Sequence, residues 1–396
     1  MLDPIPPPPE WLREAVEPWA LRFNLPALAD HSHEVGVVFV AYLFIHYVVS
    51  PWLSPKLFPD HYPKLNKRTK LNWDVHVVSL VQSTFINIIA LWVLFVDDER
   101  RSMTSAERVF GYTGSCALIS SLAVGYFVYD LIVSTIYLKM FGIGMFFHAV
   151  CALWVFSFGY RPFLNYYAPV FILYELSSPF LNIHWFCDKI NKTGSSLQWY
   201  NGMALLVTFF CCRLIWGTWQ SVIVYMDMYG ALMQSWSASS SSPFRPVDIM
   251  AQVFESRGDG SLCINEACVK ANAQISRFAK HTAGGIPTWL VFTYITSNII
   301  LNGLNYYWFS KMVETVLKRF RTPSTSKAPV KEVRDPKEGD KENAAKDATQ
   351  QAVLDAAAKL GRDEGSLFHG DSPLGNPAAA TGVDTGLAEE LRNRKT

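Results

Sequence analysis

The sequence predicts an all-α protein: a polytopic bundle of about seven transmembrane helices followed by a disordered C-terminal tail. Half of its 396 residues are hydrophobic. Only 17% are charged, against roughly 25% in a soluble domain. The charge collects in loops and tails. Between them lie apolar runs of the length that a helix needs to cross a hydrocarbon core, about 17–25 residues. A net charge of +1 offers no basic surface, so a nucleic-acid partner is not expected.

Residues 1–34 read as a luminal segment with a proline run, Pro6 to Pro9, ahead of a short amphipathic helix. This opening lacks the basic region and apolar core of a cleaved signal peptide, so targeting is expected to rest on the first span, 35–52. The further spans are 75–96, 112–138, 142–158, 166–187, 203–226 and 286–309. The fourth is the shortest and lies close between its neighbours, and without it six spans remain. The connection 230–285 is expected to be a long luminal loop. It carries a serine run (Ser235, Ser237, Ser239 to Ser242) and an amphipathic stretch near 262–280. Residues 322–396 lack lasting periodicity and read as a disordered cytosolic tail, with one short helix around 348–361.

Orientation follows from lysine and arginine in short loops. Lys56, Lys64, Lys67, Arg68 and Lys70 follow the first span, and Lys311, Lys318, Arg319 and Arg321 follow the last. With seven spans both groups share a side with Lys139, Lys189 and Lys192. That side should be cytosolic, which puts the N-terminus in the lumen. The sequon Asn191-Lys192-Thr193 then faces the cytosol and should stay bare. Cys263 and Cys268 can form a disulfide if their loop faces an oxidising lumen. Cys116, Cys151, Cys187, Cys211 and Cys212 lie in apolar runs and read as small hydrophobes.

Ionisable groups inside spans are costly and mark cavities, pairs or pathways. The spans hold Asp130, Glu175 and Arg213, with His46, His76, His148 and His184. Counting a rise of ~1.5 Å per residue from alternating ends puts Asp130 and His148 at similar depth on consecutive helices. A histidine beside a carboxylate can be a general base, and it can equally be a structural pair. Tyr126, Asp130 and Ser134 share one helical face, as do Glu175, Ser178 and Asn182, with a kink expected at Pro179. The predicted chamber is lined by Ser79, Gln82, Tyr126, Tyr129, Ser134, Glu175, Ser178, Asn182, His184, Arg213, Asn302 and Asn305. It should open toward the cytosol. Gln82, Asn302 and Asn305 serve equally well as interhelical hydrogen-bonding groups. Arg213 can neutralise Glu175 or Asp130. His46 and His184 read as ordinary hydrogen-bonding residues, and His76 as an interfacial one. No metal-ligand set or cofactor motif is present, so neither is expected.

The order of several short motifs resembles the TLC-domain family. They are Trp73, Val78-Ser79 and Gln82; Gly125-Tyr126-Phe127-Val128-Tyr129-Asp130; Phe147-His148; and Tyr174-Glu175-Leu176-Ser177-Ser178-Pro179-Phe180-Leu181-Asn182 with Trp185. Arg213, Asn305 to Trp308 and Lys311-Met312 complete the series. The likeness covers about 68–320 and looks nearest to fungal relatives of TLC domain-containing protein 4. It implies an endoplasmic-reticulum bundle around a lipid-accessible chamber. It further implies a role in membrane-lipid homeostasis, through binding, sensing or moving lipid. Ceramide synthases in this family transfer an acyl chain from acyl-CoA to a sphingoid amine. Their motif has adjacent histidines and paired acids, whereas this chain has Ala149 after His148 and Ser178 where a second Asp is expected. A standard ceramide synthase is therefore not expected. The alternatives are an acyl-CoA-dependent lipid acyltransferase, with His148 as base and Asp130 orienting it, and a cargo receptor or interaction protein. The expected partners are membrane lipids, with acyl-CoA under the enzymatic alternative.

Overall fold

The computed structural model describes residues 1–241, 266–282 and 285–321, and these are helical with connecting turns. The expected tail 322–396, its short helix and Cys263 lie outside the described residues.

After a short helix α1 (Glu10–Arg22), the chain enters α2 (Leu28–Leu57) and then α3 (Lys67–Val96). A six-residue α4 (Ser105–Phe110) precedes α5 (Gly114–Ile136). Then come α6 (Leu138–Ser157) and α7 (Ser178–Lys189). Helix α8 begins at Ser196, passes a π-helical turn at Phe210–Trp216 and continues through Gly217–Ser241. Helices α9 (Glu266–Ile275) and α10 (Thr288–Arg321) close the described chain.

Among the described residues, five helices are long and apolar enough to cross a membrane: Leu28–Leu57, Lys67–Val96, Ser105–Ile136, Leu138–Tyr160 and Ser196–Met233. They correspond to expected spans one to four and six. The seventh, 286–309, overlaps the 34-residue α10 from Thr288 onward, a less apolar helix. The fifth, 166–187, is not one regular helix. It proceeds through 3-10 turns at Asn165–Tyr167 and Ile172–Ser177, with a single α-turn between them, before α7 starts at Ser178. Pro179 therefore sits in the first turn of α7, where its missing N–H costs nothing. The break lies just upstream of the expected kink.

The fourth span is short for a physical reason. Gly142 has φ 81° and ψ 164° inside α6, a conformation open essentially to glycine alone. The straight part thus begins after Gly142 and covers only ~22 Å up to Ser157.

Helix α5 is the hub, buried along most of its length. Its small residues bring neighbours close, the usual means of packing helices in lipid. At Gly125 an added Cβ would stand 2.9 Å from the Val35 carbonyl oxygen on α2. Helix starts are capped: Asn66, Thr113 and Ser195 each accept an N–H of the first turn, and Thr104 closes a capping box with Glu107. These caps satisfy first-turn amides that the helix itself leaves unpaired.

The bundle has two distinct ends. At one, the 1–27 segment, the 97–113 and 158–167 connections and α9 pack together. Ala27 N–H donates to the Tyr160 carbonyl, Tyr112 N–H to that of Ile275, and Arg277 pairs with Asp30 at 2.7 Å. At the other, Tyr62, Trp73 and Trp185 form an aromatic cluster with Phe58, Leu65, Phe186 and Ile190. The connection expected as a 230–285 loop is partly helical, since α8 reaches Ser241 and α9 occupies the amphipathic stretch.

Candidate functional site

Helices α3, α5, α6, α7, α8 and α10 enclose a cavity of about 660 Å³, its open mouth included. It is lined by Val75, His76, Ser79, Tyr126, Asp130, Met145, His148, Glu175, Ser178, Leu181, Asn182, Arg213 and Trp308. The lining has two characters. Val75, Met145, Leu181 and Trp308 make an apolar wall, while acids, a guanidinium, imidazoles and hydroxyls make a polar one. His76 lies one residue after Val75 and stacks on Trp185 of the aromatic end, with ring centroids 4.1 Å apart. The cavity therefore lies toward that end of the bundle, the one carrying the 58–66 connection with Lys64 and the flanking Lys56, Lys67 and Lys70.

Arg213 organises the polar wall. It projects from the π-helical turn of α8, a local irregularity frequent at functional sites. Its Nε donates to the Tyr174 carbonyl at 2.8 Å and to Ser177 Oγ at 3.0 Å. Its Nη1 donates to Asn305 Oδ1 at 3.1 Å, and its Nη2 to Ser178 Oγ at 3.0 Å. Glu175 Oε1 stands 3.9 Å from Nη2, and Ser178 Oγ donates to Glu175 Oε2 at 2.8 Å. A buried charge needs both a counter-charge and satisfied donors, and Arg213 has both. The 3-10 stretch Ile172–Ser177 matters here, because it presents the Tyr174 carbonyl and Glu175 to one guanidinium.

A second chain of bonds crosses from α7 to α3. Asn182 Nδ2 donates to Ser79 Oγ at 3.0 Å and to the Ser178 carbonyl at 2.9 Å. His76 Nδ1 lies 2.7 Å from Asn182 Oδ1, and an amide oxygen only accepts, so Nδ1 carries the proton.

Asp130 and His148 differ from these. Both face the cavity, and no side-chain hydrogen bond of either is present among the described residues. His148 instead touches rings, with Phe127 at 6.1 Å and Trp308 at 5.8 Å between centroids. The expected shared depth is therefore realised as a shared cavity, without a bond between the two residues.

Eight expected site residues line the cavity: Ser79, Tyr126, Asp130, His148, Glu175, Ser178, Asn182 and Arg213. The others stand elsewhere. Asn305 supports Arg213 from behind, and Asn302 bonds Tyr174, Ser221 and Asn298. Tyr129 pairs with His46 Nδ1 at 2.7 Å, and His184 with Gln198 at 3.3 Å. Ser134 is buried outside the lining. Gln82 is fully buried, and neither end of its amide has a partner among the described residues. Sequence reasoning passed over His76 as interfacial, although it precedes Ser79 by three and so shares its helical face.

One further ionisable cluster lies at the opposite end. Asp3, His31 and Glu34 bring donor atoms within 4.8 Å of one another. His31 Nδ1 is 3.0 Å from Glu34 and 3.2 Å from Asp3, and its Nε2 meets the Tyr112 hydroxyl. The imidazole is thus fully engaged, and the cluster ties the N-terminal segment to α2 and α5.

Comparison with known proteins finds relatives that align with much of the chain. An uncharacterised TLC domain-containing protein of Schizosaccharomyces pombe is 35% identical over 78% of this chain and 86% of its own length. Topoisomerase I damage affected protein 4 of Saccharomyces cerevisiae is 27% identical over 75% of this chain and 88% of its own. Human TLC domain-containing protein 4 is 29% identical over 45% of this chain and 67% of its own. No solved structure matches. The TLC domain model matches residues 72–314, a stretch that contains every residue lining the cavity, and the chain belongs to the TLC-domain family.

Proposed function

We propose that this protein binds a membrane lipid in the cavity around Arg213 and thereby acts in membrane-lipid homeostasis at the endoplasmic reticulum. The observation that carries the reading is the divided lining. An apolar wall of Val75, Met145, Leu181 and Trp308 faces acids, His148 and Arg213, which matches a molecule with an acyl chain and a polar head. Such a pocket within a membrane bundle is reached by lipid more readily than by a water-soluble ligand. Orientation is part of the proposal. Lysine-rich connections lie at the cavity end, which the positive-inside rule assigns to the cytosol. Cys268, at the other end, is disulfide-bonded, which fits an oxidising lumen.

The test is direct. Protein purified from its membrane in mild detergent should carry a reproducible lipid species, and deletion should shift the cellular lipidome in that class. Unchanged lipidomes under several growth stresses, with no retained lipid, would remove the basis of the reading.

A second reading is a lipid acyltransferase using acyl-CoA. It is favoured by His148, which faces the cavity with no side-chain hydrogen bond among the described residues, as a general base awaiting its substrate would. Purified protein given labelled acyl-CoA and a lipid amine or alcohol would form product, and H148A would stop it. No turnover by the unaltered protein rules this reading out.

A further inference from the structure

Helix α1 has an apolar arc wider than its contact with the bundle. On a 100° wheel, Trp11, Leu12, Ala15, Val16, Trp19 and Ala20 fall on one side with Arg22 among them, and Glu10, Arg13, Glu14 and Glu17 fall on the other with Leu21 among them. Ala20 is buried against the bundle, yet Trp11 is 70% and Trp19 62% exposed, and Phe23 just beyond is 65% exposed. Arg13 and Asp30, 3.4 Å apart, hold the helix beside the start of α2.

What covers that face is indicated by the neighbouring spans. Trp92 lies four residues before the end of α3, Trp154 three before the end of α6 and Trp236 five before the end of α8. Trp289 is the second residue of α10. All four are exposed, and all lie at the end of the bundle where α1 packs. Exposed tryptophans near the same end of several spans mark a membrane–water interface. On α3, Trp92 stands ~28 Å from Trp73 of the opposite aromatic cluster, close to one hydrocarbon thickness.

We propose that α1 is an interfacial helix, lying in the headgroup layer of the leaflet at this end, with Trp11, Trp19 and Phe23 inserted among the lipid chains. The exposed aromatic face continues the tryptophan belt of the spans, and the acidic face turns to water. Three glutamates against Arg13 and Arg22 give α1 no attraction to anionic lipid, so its seating is apolar and independent of salt.

The full chain in phosphatidylcholine nanodiscs tests this, compared with the double variant W11F/W19F. Phenylalanine keeps the face apolar, and the difference in emission isolates the two tryptophans. With bromines high on the lipid chains, that difference signal should fall about twofold or more, and anionic lipid or added salt should not change this. A difference signal that is unquenched by bromolipid and open to aqueous iodide would overturn the proposal. One shielded from both would assign the face to another chain and overturn it equally.

Discussion

Asn182 on α7 and His76 on α3 are joined at 2.7 Å, from imidazole Nδ1–H to amide oxygen, so one side chain fixes both the tautomer and the packing of two helices. The amide also holds Ser79. Replacing Asn182 by leucine keeps the branched shape, adds some bulk and removes three hydrogen bonds. Loss of roughly 1–3 kcal/mol is expected where buried donors are left unmet. Thermal unfolding in detergent should show a clear fall in midpoint, while Asn182→Asp should fall further by adding a buried charge.

Arg213 cannot be exchanged for lysine without loss. Its four hydrogen bonds leave in three directions, toward Tyr174 and Ser177, Ser178 and Asn305. A lysine keeps the charge near Glu175 but has three donors on a flexible stem. Arg213→Lys should lower the thermal midpoint and release any retained lipid. Arg213→Ala should be worse, since removing one partner of a buried pair costs about 3–5 kcal/mol. Gel-filtration yield of folded protein is the readout.

Asp130→Asn and His148→Ala should behave differently. Neither residue makes a side-chain hydrogen bond among the described residues, and both face the cavity. Removal should move the thermal midpoint little, within about ±1 kcal/mol, but change the amount or identity of bound lipid. Mass spectrometry of the purified variants measures this. A large loss of stability with unaltered lipid would assign both residues to the scaffold.

These contrasts show what the sequence made legible. Charges within apolar runs pointed to Asp130, Glu175 and Arg213, because lipid penalises ionised groups strongly enough to single them out. The four-residue spacing placed Tyr126 with Asp130, and both line the cavity. Helical spacing failed around Glu175, where the backbone is 3-10 and not α. Ser178 and Asn182 still reach the site because a regular helix restarts at Ser178. His76 was hidden because residue type and position near a helix start do not reveal what a ring stacks upon. Gln82 carried the same polar signal as Ser79, and only packing separates the one without partners among the described residues from the one that lines the cavity.

Gly142 supports the fourth span by a conformation other residues avoid, at φ 81° and ψ 164°. Gly142→Ala should cost on the order of 1–3 kcal/mol. The alternative for the chain is to straighten α6 through this point. Helix α6 packs between α5 and α10, so straightening would displace Met145 and His148 from the cavity. The expected result is reduced lipid retention together with a lower midpoint, read by the same two measurements. An unchanged midpoint with full lipid retention would mean that the hinge is dispensable.

Asn191 tests the orientation. It is exposed and begins the sequon Asn191-Lys192-Thr193, so local structure does not hide it. Its loop follows α7 at the aromatic end of the bundle, while Cys268 and α1 lie at the other. With the aromatic end cytosolic, Asn191 meets no glycosyltransferase. Protein expressed in its own membrane should then migrate identically before and after glycosidase, and Asn191→Gln should leave migration unchanged. A sequon engineered into the 97–104 connection should instead gain a glycosidase-sensitive shift. A glycan on Asn191 would reverse the bundle. It would turn the cavity mouth to the lumen and take away the access from the cytosol that an acyl-CoA substrate requires.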